Sequence, residues 1–213
     1  SSTSRGLGDV YKRQGGGHTD LSLIFEEFGK AIVVEPYLAN VVLAGGVLKR
    51  SNLENADELI AGIVSGETQI SLANYEPMKG FNLDNVDATI SSDGQINGTK
   101  STVLNAGNAD HFLVFGKSGD GYAFGLVNKS SDGVKVVNYK TYDGFVSGDL
   151  VLENCKCDAV FSAENALEIL EETILDAIVC VSSEAVGAME KSYKLTIEYT
   201  QQREQFGQSL SKF

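Results

Sequence analysis

The spacing of apolar residues predicts three helices in the first third of the chain. Apolar positions recur there every three or four residues, which is the period of an amphipathic helix. The first helix is predicted to begin at an N-cap, Thr19 or Asp20, and to stop at Gly29. A second helix follows Pro36, and a third ends at Gly66. The apolar faces of the first two consist of Leu21, Ile24, Phe25 and Phe28, then Leu38, Val41, Val42 and Leu48.

From about residue 68 to 161 the pattern changes to short runs rich in β-branched and aromatic residues. Asp-Gly and Asn-Gly pairs separate these runs, and such pairs suit type I′ hairpin turns because both central residues need positive φ. No helix-length segment intervenes and no G-x-G-x-x-G motif occurs, which argues against a Rossmann unit. We therefore predict an antiparallel sandwich or barrel. The strands are HFLVFG, YAFGLV, VKVVNY and GDLVLENC, and the glycine pairs lie at 93–94, 97–98, 120–121, 132–133 and 143–144.

A helical period returns at about Glu164 and continues for about ten turns. A helix of this length is usually one member of a bundle, because alone it would expose its apolar face to water. Small residues at 182–188 would let another helix approach closely. The predicted face comprises Leu167, Leu170, Ile174, Ile178, Val181, Ala185, Ala188, Ser192, Leu195 and Tyr199.

The three patterns together predict an α+β multidomain protein. A helical N-terminal domain would occupy residues 15–66, a middle β domain residues 67–163, and the first long helix of a C-terminal helical bundle residues 164–213. The first fourteen residues, SSTSRGLGDVYKRQ, show neither period, and we expect 1–14 to be a non-native leader.

Charge and cysteine usage narrow the class of protein. The formal net charge of -12 argues against nucleic acid and anionic membrane surfaces as partners, since both attract basic patches. An odd count of three cysteines gives no disulfide framework and favours a reducing, cytoplasmic compartment. Cys155 and Cys157 are interpreted as alternate positions at a strand end. Neither His18 nor His111 stands at a ligand-like spacing, so no metal site is predicted.

Four segments resemble acyl-CoA dehydrogenases, and they follow one another in the order and in the kinds of element that the family shows. The resemblance covers residues 15–213 and implies an N-terminal helical domain, a middle β-barrel and a C-terminal four-helix bundle. The VVEPY and KSTVLNA runs are most similar to the small subunit of pimeloyl-CoA dehydrogenase. The four segments are FEEFGKAIVVEPYLANVVLAG, SGETQISLANYEP, INGTKSTVLNAGNADHFLVF and AVGAMEKSYKLTIEYTQQREQFGQSLSKF.

The resemblance implies FAD as cofactor and gives a role to the Arg-x-x-Phe-Gly near the end of the chain. Arg203 would reach the pyrophosphate of FAD bound by a neighbouring protomer, and Phe206 would pack beside its adenosine end, with Gln205 in the same signature. A guanidinium presents a fork of donors that matches phosphate oxygens. The alternative is that Arg203 satisfies a helix C-terminus, with Gly207 as the C′ residue.

Several positions depart from the family pattern on the flavin and CoA sides. Tyr75 stands where the family has a flavin-contacting Thr before Glu-Pro, Thr102 where it has an aromatic, and Leu104 where it has a polar partner. The segment MKGFNLD replaces a Gly-Ser-Asp that includes a CoA contact. Leu175 and Ile178 match an Asp and an Arg that help to hold CoA, and these aliphatics are expected to be buried against protein.

The activity implied is α,β-dehydrogenation of an acyl-CoA thioester, with hydride transfer to flavin N5. The family's catalytic Glu is expected beyond Phe213, so no catalytic residue is assigned and the 213-residue fragment alone is expected to be inactive. The implied partners are acyl-CoA, other subunits in a homo- or hetero-oligomer, and an electron-transfer protein. Two alternatives remain: a non-catalytic scaffold subunit of a heteromeric dehydrogenase, and an oxidase-like relative that passes electrons to oxygen.

Overall fold

The computed structural model describes residues 17–213, so the predicted leader at 1–14 lies outside the described residues. Helix α1 spans His18–Ala31. A π-helix at Leu38–Ala44 continues directly into α2 at Gly45–Arg50, and α3 follows at Ala56–Ser65. The long helix α4 runs over Ala166–Gln202, which confirms the predicted length of about ten turns.

The predicted ends of α1 are wrong, whereas the predicted end of α3 is confirmed. The N-cap of α1 is Gly17, whose N–H donates to Asp20 Oδ2 at 3.0 Å. The helix continues past Gly29 and stops at Ile32, which has φ 53°. Helix α3 ends on Gly66 at φ 78°, a conformation that glycine adopts without steric cost.

The strand-rich part forms one eight-stranded sheet within the described residues, with the order β6-β7-β3-β2-β4-β5-β8 and β1 beside β4. Most neighbours are antiparallel, as predicted, but β1–β4 and β2–β4 are parallel, so the sheet is mixed. The four predicted strand runs are confirmed as β4, β5, β6 and β7. The strands are Ile70–Ala73, Thr89–Ile90, Gln95–Leu104, His111–Ser118, Gly121–Asn128, Val134–Lys140, Val146–Lys156 and Ala159–Phe161, numbered β1 to β8.

Three of the five glycine pairs lie in turns, as predicted, but only their glycine has positive φ, so they are not the predicted type I′ turns. Gly94, Gly133 and Gly144 have φ near 80° to 87° in turns between strands. Asn97-Gly98 is not a turn: it lies inside β3, where the pairing with β7 shifts register between Ile96 and Gly98. At the pair 120–121 the two loop residues are instead Gly119 and Asp120, because Ser118 pairs with Gly121. The Asp-Gly pairs thus lie at turns, whereas the Asn-Gly pair lies at an irregularity within a strand.

The described part of the chain divides into two compact units, residues 34–177 and residues 17–33 with 178–213. In the first unit the π-helix packs against β1, and one core is filled by side chains of β1 to β5, β7 and the loops between them. These side chains include Ile90, Ile96, Val103, Phe112, Val114, Val127, Leu150 and Leu152, all buried.

The buried face of α4 differs from the predicted face. Leu170 is buried as predicted, but Ile178, Val181, Leu195 and Tyr199 are each about half exposed. The buried positions are instead Ala166, Ile169, Leu170, Thr173, Asp176, Ala177, Cys180 and Gly187. Small and polar residues therefore take the inward positions that periodicity assigns to larger aliphatics.

Candidate functional site

A buried ion pair joins the two segments of the first unit that carry the candidate flavin residues. Lys100 of β3 has no exposed side-chain surface, and its Nζ lies 2.7 Å from Glu76 Oε1, on a side chain only 5% exposed. The other carboxylate oxygen accepts the Asp87 N–H at 2.7 Å, and Oε1 also accepts the Ala88 N–H at 2.9 Å. A backbone hydrogen bond also joins the two segments: the Ser101 N–H donates to the Tyr75 carbonyl oxygen at 2.9 Å.

These contacts set the charge states of the pair. Burial alone would raise the pKa of Glu76, but the hydrogen bonds from Lys100, Asp87 N–H and Ala88 N–H together hold it below its ordinary value. Burial lowers the pKa of Lys100, and the attraction of Glu76 opposes that shift. Glu76 is thus an ionised group held by three donors, which fixes the Tyr75-Glu76 segment against β3.

The pair gives the first unit a specific acid sensitivity. Because the folded pKa of Glu76 is lowered, its stabilising contribution is present above the ordinary value of 4.5 and is lost as pH falls through the folded value. We expect the free energy of unfolding, measured by urea titration, to fall as pH decreases below about 4.5. A Glu76→Gln variant should show a shallower fall over the same range, and equal slopes would contradict the assignment.

The sequence-based prediction assigned no role to Glu76 or Lys100, although both lie within quoted motifs. Alternation along β3 gave no signal: the buried positions Ile96, Lys100 and Val103 are not spaced by two, because the strand shifts register against β7 between them. A lysine in a core is almost never buried without a partner. The burial of Lys100, which only the structure shows, therefore requires a counter-charge, and Glu76 supplies it.

The structure brings Tyr75 close to β3, which carries Thr102 and Leu104. Tyr75 and Leu104 are partly buried, whereas Thr102 is exposed and adopts φ 54° where β3 shifts register against β7. The Tyr75 ring meets Phe81 edge to face, with ring centroids 5.9 Å apart. This end of the sheet thus offers aromatic and apolar surface at the positions predicted for the flavin.

One backbone donor at this surface is already engaged. The Thr102 N–H donates to Asp149 Oδ1 at 3.1 Å, and the Tyr139 hydroxyl donates to the same oxygen at 3.0 Å. A flavin edge placed here would meet a carboxylate that already holds the Thr102 amide. The surface suits the flat apolar face of a ring better than its hydrogen-bonding edge.

Arg203, Gln205 and Phe206 lie on an exposed hairpin of the second unit. Helix α4 ends at Gln202, and two short strands, β9 at Glu204–Gln205 and β10 at Gln208–Ser209, flank Phe206 and Gly207. These two loop residues have φ 51° and 81°, and positive φ at both central positions is the requirement of a type I′ turn. Gly207 is therefore a hairpin residue and not the helix C′ residue of the alternative interpretation.

The hairpin presents its side chains outward. Arg203 N–H donates to the Tyr199 carbonyl at 2.8 Å, and the Arg203 carbonyl accepts Leu210 N–H at 2.9 Å, so its backbone is fixed on both sides. The Arg203 side chain is exposed, and Phe206 is 94% exposed with its ring edge toward Phe213. An exposed guanidinium beside an exposed aromatic ring can hold a phosphate and stack a base.

Leu175 and Ile178 are not buried as expected: their side chains are 61% and 55% exposed. Cys155 is the last residue but one of β7 and Cys157 directly follows the strand; burial raises the pKa of both thiols. Over residues 17–213, no group of three or more His, Cys, Asp or Glu is placed to hold a metal ion. In the same part of the chain, no helix has the length and hydropathy needed to cross a membrane.

Comparison with known proteins identifies the fold and supports the family. No family model matches the chain. It is 28% identical over 213 residues to the acyl-CoA dehydrogenase FadE28 of Mycobacterium tuberculosis, spanning 96% of this chain and 59% of that protein. The chain thus spans less than two thirds of the relative's length. The similarity to this relative supports the acyl-CoA dehydrogenase family, and the described part has the corresponding fold.

Two solved structures illustrate the fold. A glutaryl-CoA dehydrogenase from Mycobacterium smegmatis in complex with FADH2 superposes with TM-score 0.86 at 24% identity, covering 99% of this chain and 60% of that one. The ChsE4-ChsE5 complex from Mycobacterium tuberculosis gives 0.81 at 26% identity, covering 96% and 56%. The second is a complex of two different named chains.

Proposed function

We propose that this chain is part of an FAD-dependent acyl-CoA dehydrogenase subunit that acts in α,β-dehydrogenation of an acyl-CoA thioester. The observation that carries the proposal is the outward-facing hairpin with Arg203 and Phe206, on a chain with the acyl-CoA dehydrogenase fold. Bound FAD would supply the hydride acceptor, its N5 atom.

The two units would contact different FAD molecules. Arg203 and Phe206, with Gln205 beside them, would hold the pyrophosphate and adenosine of FAD bound by a neighbouring subunit. Tyr75, Thr102 and Leu104 would line the ring of a flavin on the first unit, held in place by the Glu76–Lys100 pair. A side-chain phosphate contact and an aromatic wall both fit the groups that these residues expose.

The base that removes the α-proton is proposed to lie outside these 213 residues or on a partner subunit. Within the family proposal, the VVEPY and KSTVLNA runs favour the small subunit of a pimeloyl-CoA dehydrogenase, with a role in fatty acid metabolism. The electron acceptor would be an electron-transfer protein. An aliphatic face at Leu175 and Ile178, both exposed, suits contact with protein more than with the charged groups of CoA.

A second candidate function is a scaffold subunit that completes a heteromeric dehydrogenase without holding its own flavin productively. The contact that favours it is the hydrogen bond from the Thr102 N–H to Asp149, because it leaves the Thr102 amide engaged and unable to serve the edge of a flavin proposed to lie there. The ChsE4-ChsE5 neighbour, a complex of two different named chains, supports a heteromeric assembly. In this case Arg203 would still serve the partner's FAD.

Flavin binding tests the proposal directly. We expect the assembled protein to take up FAD, and Arg203→Ala to raise the FAD Kd about ten- to a hundredfold, because a hydrogen-bonded charge pair is lost. The measurement is titration followed by flavin absorbance and fluorescence. Lys212→Ala, in the same exposed terminal segment, is the matched control and should leave the Kd unchanged.

The outcomes separate the candidate functions. A protein that stays colourless and takes up no FAD with any partner subunit would be a scaffold. Peroxide formation with acyl-CoA and oxygen would indicate the oxidase-like relative instead. Equal FAD affinity in the wild type and Arg203→Ala would refute the role of the hairpin while leaving the fold assignment intact.

A further inference from the structure

The segment after Glu76 presents Phe81 in a fixed, exposed position. The Phe81 side chain is 88% exposed, yet its ring is held edge to face against Tyr75, with ring centroids 5.9 Å apart and an interplanar angle of 90°. An edge-to-face contact between aromatic rings is favourable beyond the area that it buries. The contact therefore restricts the Tyr75 side chain from the solvent side.

The segment is tied down along its length. Lys79 Nζ lies 2.7 Å from Asp87 Oδ2 and 3.3 Å from Asn85 Oδ1, and the Tyr122 hydroxyl donates to the Asp84 carbonyl at 2.9 Å. Met78 is held at φ 62°, in the region that non-glycine residues rarely adopt. A residue kept at positive φ within an anchored segment indicates that the surrounding contacts, and not local preference, set the loop's shape.

Tyr75 is fixed from the opposite side as well. Its carbonyl accepts the Ser101 N–H at 2.9 Å, and the neighbouring Glu76 is locked to Lys100. The backbone of Tyr75 is thus set by β3 and its ring by Phe81. Ordering a side chain before a ligand arrives lowers the entropy cost of binding.

We infer that Phe81 is a positioning residue for the flavin ring, which acts by holding Tyr75 as a preformed aromatic wall. The inference rests on the proposed function, since the ligand is the isoalloxazine ring of FAD. It assigns a role to Phe81 in the MKGFNLD segment, which lacks the CoA-contacting serine of the family. Phe81 itself need not touch the flavin.

The test is FAD binding to Phe81 variants of the assembled protein, read by titration and by the fluorescence yield of the bound flavin. Phe81→Ala should raise the FAD Kd about two- to tenfold, because the edge-to-face contact that orders Tyr75 is lost. Flavin emission should rise because a mobile tyrosine quenches it less well. Phe81→Tyr keeps the ring and should restore both values.

A double-mutant cycle with Tyr75→Ala decides whether Phe81 acts through Tyr75. In a Tyr75→Ala background, Phe81→Ala should change the Kd no further, since the residue it positions is gone. Additive effects, or an unchanged Kd in Phe81→Ala alone, would overturn the inference while leaving FAD binding established. Wild-type protein that takes up no FAD would overturn the proposed function and this inference together.

Tyr193→Ala serves as the control for loss of an exposed aromatic ring. Tyr193 is 67% exposed on α4 and belongs to the second unit, whereas Tyr75 and Phe81 belong to the first. It should leave both the Kd and the flavin emission unchanged. A change equal to that of Phe81→Ala would show a general effect of surface aromatics and would overturn the inference.

Discussion

Glu76→Gln is expected to lower the free energy of unfolding of the first unit by about 3–5 kcal/mol, because it leaves the buried Lys100 ammonium without a counter-charge. Glutamine keeps the size of the side chain, so the effect reports charge and not packing. The Lys100 side chain is fully buried. Its Nζ also donates a hydrogen bond to the Asn74 carbonyl oxygen at 3.4 Å. Urea unfolding at pH 7, followed by circular dichroism, measures the change.

A surface ion pair of the same length provides the control. Lys79 and Asp87 are also 2.7 Å apart, but the Asp87 side chain is 70% exposed, so Asp87→Asn should cost under about 1 kcal/mol. The double variant Glu76→Leu with Lys100→Met should recover part of the loss, because no buried charge then lacks a partner. Equal losses of unfolding free energy in Glu76→Gln and Asp87→Asn would show that the buried ion pair contributes no more to stability than the surface pair.

Local sequence signals predicted the elements of the fold well. The four strand runs, the helix that stops at Gly66 and the long terminal helix depend on period and on glycine at positive φ, which are properties of neighbouring residues. The parallel pairing of β1 with β4 could not be predicted from such local signals. It joins Ile70 to His111, and sequence period says nothing about which strands become neighbours.

The errors share a physical cause, which is packing between residues distant in sequence. Glycine commonly ends helices, but α1 continues past Gly29. Here the absence of a side chain allows the backbone of another helix to come into contact. A Cβ on Gly98 would come within 2.6 Å of Ala88 Cβ, so that glycine serves a close approach inside β3 and not a turn. Propensity at one position cannot distinguish these uses of glycine.

The candidate site was predictable only in part. The resemblance identified Tyr75 and Thr102, and the Tyr75–Ser101 hydrogen bond places their segments side by side. It identified Arg203 and Phe206 but not the hairpin that exposes them, since that hairpin follows from positive φ at Phe206, which aromatic residues rarely adopt. The role of each residue toward FAD stays a prediction.

The second large effect concerns the helix crossing of the second unit, where two glycines lie against opposing backbones. A Cβ on Gly29 would collide with the Glu184 carbonyl and lie 2.9 Å from Ala188 N, and a Cβ on Gly187 would collide with the Glu26 carbonyl. This confirms the prediction that small residues at 182–188 allow close helix approach. Backbone atoms cannot move aside as a side chain can, so a methyl group must separate the helices.

Gly187→Ala is therefore expected to destabilise the second unit by about 2–3 kcal/mol, the upper part of the usual cost of overpacking, although alanine has the higher helix propensity. Gly29→Ala should act in the same direction. Thermal unfolding, or hydrogen exchange of α1 amides, measures the loss. Gly45→Ala is the matched control, because its Cβ would have 3.4 Å to the nearest atom, Asn40 O, and it should be neutral or stabilising. If Gly187→Ala also stabilises the protein, the helices do not meet backbone to backbone, and the short separation between α1 and α4 is wrong.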